Sequence, residues 1–213
     1  LFVGRIEQIN EIKKFTKQST YGRLENVFLV GERGIGKSSL AAFLYHYLKE
    51  KEDFLSVYVS LGGVESLSEF IRRVFEQILT EVNTEKSLKE QFSDFLKEKS
   101  KYIKAVDLFG ISFSFNPPEE DLENMLRNFP EAIKGILEKI KDKKDGIFIA
   151  LDDINGLSCK SEFANWYKSF VDNVSIRYAR EFPVFIMPIG IPEVRDSLGK
   201  QQPSLMRIFR VIN

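Results

Sequence analysis

Five short stretches, at residues 27–30, 54–60, 147–151, 184–189 and 208–212, are rich in β-branched and aromatic side chains and are bounded by turn residues. Most are apolar throughout instead of alternating. A strand with one wet face alternates, whereas a strand apolar on both sides needs cover on both, as in a parallel sheet flanked by helices. Helical periods lie between the runs: Leu40, Leu44, Tyr47 and Leu48 in one segment, and Leu67, Phe70, Ile71, Val74, Phe75, Ile78 and Leu79 in the next, where Ser66 and Glu69 form a capping box. Strand and helix taking turns predict an α/β fold, an open and mainly parallel five-stranded sheet with right-handed crossovers and helices on both faces. A chain of 213 residues, 43% hydrophobic and 29% charged, can bury such a core and is not disordered.

The rhythm breaks over about 83–118, where a Lys/Glu-rich stretch is followed by DLFGISFSFNPP. This reads as an inserted helix plus a short strand or hairpin ended by Pro117 and Pro118. One further helix is expected over about 119–141. The whole of 1–213 is read as one core domain. Its opening without Met and its close in a strand are those expected of a fragment of a longer protein.

The chemistry concentrates in Gly31-Glu32-Arg33-Gly34-Ile35-Gly36-Lys37-Ser38, a G-x-x-x-x-G-K-[ST] segment directly after the strand VFLV and directly before an amphipathic helix. Glycines there let successive N–H groups turn onto phosphates, and the helix that follows aims its positive end at the same place. Lys37 is expected on the β- and γ-phosphates and Ser38 on Mg²⁺, with Ser39 beside them. A second element, Ile147-Phe148-Ile149-Ala150-Leu151-Asp152-Asp153, carries two acids to the carboxyl edge of the sheet, the same edge as the glycine loop. Asp152 suits the Mg²⁺ shell, and Asp153 could orient or deprotonate an attacking water.

Thirty-one Lys and Arg balance thirty-one Asp and Glu, so contact with nucleic acid must use a local patch. A single Cys159 and a single His46 rule out an internal disulfide and a Cys/His zinc cluster, and neither has the sequence neighbours of a catalyst. No apolar run approaches the length of a membrane span, no signal peptide is evident, and a cytoplasmic location is expected.

These motifs, with Phe2-Val3-Gly4-Arg5 ahead of them, resemble the AAA+ superfamily and its STAND relatives, particularly archaeal origin-recognition and transposition-accessory ATPases. The glycine loop and the acid pair correspond to the Walker A and Walker B segments. The resemblance covers nearly the whole chain and implies a P-loop ATPase core that binds ATP or ADP with Mg²⁺. It makes Phe2, Val3 and Arg5 candidates for the adenine pocket. It also makes Arg207 the candidate arginine finger, ahead of Arg210, acting across a self-associated boundary. Two departures stand out. Where the family usually places a polar residue at the end of its fourth core strand, this sequence reads Met187-Pro188-Ile189-Gly190-Ile191, and the family's C-terminal helical lid is missing. A slow-turnover signalling switch is therefore the alternative to an efficient ATPase. A small-molecule kinase fits less well, and a GTPase is disfavoured because no N-K-x-D segment exists. DNA or protein clients are expected to act through further domains.

Overall fold

The computed structural model describes residues 4–89, 92, 106–108, 111–113 and 119–213. Its main sheet is built from β1 (Leu24–Val30), β2 (Phe54–Ser60), β5 (Gly146–Asp152), β6 (Val184–Gly190) and β7 (Arg210–Ile212), in the order β2-β5-β6-β1-β7. Every pairing in it is parallel. Within β1 the side chains divide between two cores. Val27 and Leu29 pack with α1 (Ile6–Ser19) and α2 (Lys37–Lys51), while Phe28 and Val30 join the larger cluster with α3 (Leu67–Thr84) and, later in the chain, α6 (Phe129–Ile140) and α7 (Ser161–Arg177). The apolar-throughout runs are thus explained, because each side of the strand meets helices.

Between α3 and α6 come α4 (Lys86–Lys89), an antiparallel hairpin of β3 (Val106–Leu108) and β4 (Ile111–Phe113), and α5 (Glu119–Arg127). The hairpin agrees with the expected insertion, most of whose remaining length lies outside the described residues. The single helix expected over 119–141 is instead two, α5 and α6, parted at Asn128. Pro130 is the cause: it has no N–H to give to the carbonyl four residues earlier. That carbonyl, on Leu126, accepts from Trp166 Nε1 at 3.1 Å, so α7 satisfies what the proline leaves open. The element α8 (Pro192–Gln201) and a 3-10 turn over Pro203–Arg207 lead into β7.

Two strand boundaries also differ from expectation. β1 begins three residues before Val27 because its polar start is buried on partners far along the chain: Tyr167 donates to Asn26 Oδ1 at 2.7 Å, and Glu25 faces Arg210 at 3.6 Å. Burial pushes the Glu25 carboxyl up from its ordinary pKa, and the Arg210 and Arg23 charges pull it back. β7 begins two residues later than expected, since Phe209 leaves the strand line to pack on Phe28 and Tyr167, with ring centroids 5.4 and 5.1 Å away. Finally, Pro188 lies inside β6, a central strand. The pairing of β6 with β1 runs over Leu24–Asn26 and resumes at Leu29 and Val30, whereas its pairing with β5 continues past Pro188.

Candidate active site at the carboxyl edge of the sheet

The glycine loop follows β1 as the sequence requires. Gly34 and Gly36 sit at φ 79° and 91°, where a side chain would be strained although nothing crowds either position. Gly36 is also the residue from which α2 springs, without a side-chain cap. Among the described residues no acceptor takes the N–H groups of Gly36, Lys37, Ser38 or Ser39. A row of free amides at a helix start is an anion site in its own right. Lys37 Nζ is folded back on the loop and donates to the carbonyls of Gly31 and Glu32 at 2.7 and 2.8 Å.

β5 brings Asp152 and Asp153 to the same edge. A cavity of about 390 Å³ is walled by Arg33, Gly34, Lys37 and Ser38 on one side and by Asp152, Asp153 and Asn155 on the other. Its base is formed by Ile189, Gly190 and Ile191. The end of β6 therefore offers no polar side chain, as the sequence indicates. On the acid side, Asn155 Nδ2 donates to Asp153 Oδ1. Asp153 itself has φ 62°, a conformation that Asp tolerates better than most residues, and Gly62 leaves room for its Oδ2.

Sequence reasoning missed Tyr58. From β2 it reaches across to Asp152 Oδ2, to which its hydroxyl donates, and the Ser38 hydroxyl lies close enough to interact with it. Burial, then the Asp152 hydrogen bond and charge, raise the Tyr58 pKa well above the ordinary phenol value. Tyr58 thus stands between the two groups expected to serve Mg²⁺. The only signal in the sequence was a tyrosine two residues before the end of a mostly apolar strand.

The remaining candidates fall in several places. Glu32, Arg33, Ile35 and Ser39 are exposed on the loop or the first turn of α2. Arg5, just before α1, donates through Nη2 to the carbonyl of Ile35 at 2.7 Å, so it fastens the loop. Phe2 and Val3 lie outside the described residues. Arg207 is exposed at the end of the 3-10 turn, with no ion pair or side-chain hydrogen bond among the described residues, and it does not line the cavity. Arg210 is held by Glu25 and lies over the Phe15 ring at 4.6 Å. Cys159 is exposed, and His46, also exposed, meets Tyr45 edge-on at 4.9 Å.

Ser38 and Asp152 are hard oxygen donors of the kind Mg²⁺ takes. Among the described residues no cluster of three acidic, His or Cys side chains exists that would cage a metal alone. Two protein oxygens fit a cation shared with a phosphate ligand.

A family model described as "AAA ATPase domain" matches residues 1–167. The chain belongs to that family. As an AAA ATPase domain it is similar over its full length, at 24% identity, to an uncharacterised HTH-type transcriptional regulator of Methanocaldococcus jannaschii, covering 49% of that protein. Its fold is that of the Aeropyrum pernix ORC2 protein, solved as ADPNP–ADP complexes, with TM-score 0.59, 10% identity, and coverage of 99% of this chain and 47% of that one. The A. pernix ORC1 protein in complex with DNA gives 0.56 at 13% identity, covering 100% and 46%. Cdc6p of Pyrobaculum aerophilum gives 0.52 at 14%, covering 99% and 45%. The chain thus spans about half the length of each relative. The structural likenesses, at these identities, speak for the AAA+ P-loop fold alone. No helix among the described residues is long and apolar enough to cross a membrane.

Proposed function

We propose that this AAA ATPase domain binds ATP with Mg²⁺, hydrolyses it, and couples the nucleotide to a change of conformation or assembly. The observation that carries the reading is the convergence of Lys37, Ser38, Asp152 and Asp153 on one cavity beneath a row of free amides. In this reading Gly31 to Ser39 hold the phosphates, and Lys37 leaves its loop carbonyls for the β- and γ-oxygens. Mg²⁺, when bound, would supply positive charge to offset that of the phosphates. Ser38 and Asp152 would hold it, with Asp152 oriented by Tyr58. Asp153, steadied by Asn155, aligns the water and takes its proton. That A. pernix ORC2 is a complex of ADPNP and ADP supports the choice of ligand.

A slow switch is the second reading. It is favoured by the apolar Ile189 and Ile191 at the cavity base, where no polar side chain helps to place the water. Arg207, unengaged and away from its own cavity, is assigned as a finger for a neighbouring copy. The DNA complex of the ORC1 neighbour supports a DNA client for a longer protein, with a protein client as the other possibility.

Calorimetry with Mg²⁺-ATP tests the site. Lys37→Ala is expected to weaken binding by about 1.5–3 kcal/mol, the worth of a charge-assisted contact; equal affinity would remove the assignment. For turnover, Arg207→Ala and Lys37→Ala proteins, each inactive alone, should partly recover phosphate release when mixed. Specific activity independent of concentration, with no recovery on mixing, would select the self-contained switch.

A further inference from the structure

A second cavity, about 370 Å³, opens beyond the other end of the sheet and is lined by Gln18, Tyr21, Arg23, Arg180 and Arg210. Its walls come from separated segments: the last turn of α1 and the turn after it, the approach to β1, the approach to β6, and the edge strand β7. β1 separates it from the glycine loop by about 20 Å, the six steps between its seven residues at about 3.3 Å each. We propose that this cleft binds single-stranded nucleic acid, with phosphodiesters on the arginines and a base on the ring of Tyr21.

Three guanidinium groups in one small cleft repel one another, and the chain as a whole has zero net charge. Their grouping is not a by-product of a basic surface. Arg23 and Arg180 are exposed and have no ion pair or side-chain hydrogen bond among the described residues. The acid beside Arg180, Glu181, is drawn off to Lys134 at 3.5 Å. Glu25 answers Arg210 from below with a side chain only 10% exposed, which leaves the charge of the cleft positive.

The arrangement is also held in place by backbone. Gly22 accepts from the Phe182 N–H at 2.9 Å, and a Cβ on Gly22 would lie 1.5 Å from the Arg180 carbonyl oxygen. The two arginine-bearing segments are therefore clamped side by side. Guanidinium forks match phosphate oxygens in pairs. A free phosphate or an acidic peptide would use the same forks, but neither would need the flat ring at the rim. Tyr21 is 67% exposed, and an exposed ring beside positive charge is the usual platform for an unpaired base.

The test is fluorescence anisotropy of a labelled twelve-nucleotide oligo-dT over a salt series, with the whole chain. An Arg23→Ala/Arg180→Ala protein should bind at least tenfold more weakly at low salt. Its slope of log K against log salt should fall by about 1.4, two phosphates at ~0.7 each for a single strand. Tyr21→Ala should lose roughly five- to hundredfold while keeping the wild-type slope. The double variant should still bind Mg²⁺-ATP by calorimetry, which shows it folded. Equal affinity and slope in wild type and double variant would overturn the assignment. So would displacement of the oligonucleotide by poly-glutamate at equal charge concentration with no effect of Tyr21→Ala, which would mark an acidic peptide as the ligand.

Discussion

The two ends of the sheet each depend on a glycine at nearly the same backbone angle, yet for opposite reasons. Gly34, at φ 79°, turns the loop at the carboxyl edge in open space, where nothing lies within 4 Å of a Cβ position. Gly22, at φ 80°, turns the chain at the amino edge directly against the Arg180 carbonyl. The first glycine frees amides for a ligand, and the second brings two segments of the chain together. Recognition at one edge is built mainly from backbone of one contiguous segment, and at the other from side chains of distant ones.

The largest effect expected at the carboxyl edge is chemical. Asp153→Asn keeps the shape and tolerates the positive φ, so Mg²⁺-ATP should still bind while phosphate release falls by about 10²–10⁴. Wild-type turnover in that variant would end the proposed role of Asp153 with the water. The contrast between the glycines comes next. Gly22→Ala should destabilise by about 3 kcal/mol or more, strain plus a backbone collision, whereas Gly34→Ala should cost only about 1–2 kcal/mol. Urea midpoints measure both; similar losses would mean that the two edges are built alike. The smallest effect belongs to Tyr58→Phe, which removes one hydroxyl and leaves the ring. The Mg²⁺ concentration for half-maximal ATP binding should rise roughly two- to tenfold, with affinity for ADP in EDTA unchanged. An unaltered Mg²⁺ dependence would reduce Tyr58 to a packing residue.

The same contrast explains what could be read from the sequence. Gly31 to Ser38 and the pair Asp152-Asp153 were legible because each is contiguous and sits at the end of an apolar run. Asn155 and Tyr58 were not, since a loop asparagine acquires meaning only when the local turn folds it back on Asp153, and a strand tyrosine only when the β2–β5 pairing places it against Asp152. Arg23, Arg180 and Arg210 are scattered over nearly the whole chain, and no motif joins them; the sequence singles out Arg210 alone, as the second candidate for a finger. The start of β1 was hidden for a related reason: Glu25 and Asn26 look like turn residues until Arg210 and Tyr167 arrive to partner them. The break at Asn128 was within reach, because Pro130 announces it, but an amphipathic period running through both helices masked the signal.

Pro188 has a mechanical consequence. The strand that ends in the glycine loop and the strand that ends in the acids do not touch; β6 lies between them. Its ladder toward β5 runs unbroken, whereas toward β1 the imino acid leaves a missing rung near the carboxyl end. Above that gap the connection resumes through a long contact, the Gly31 N–H to the Gly190 carbonyl at 3.3 Å. Beneath the site the sheet is therefore joined more sparsely on the β1 side of β6 than on the β5 side. A ligand held by both the glycine loop and the acids would bridge that sparser seam from above.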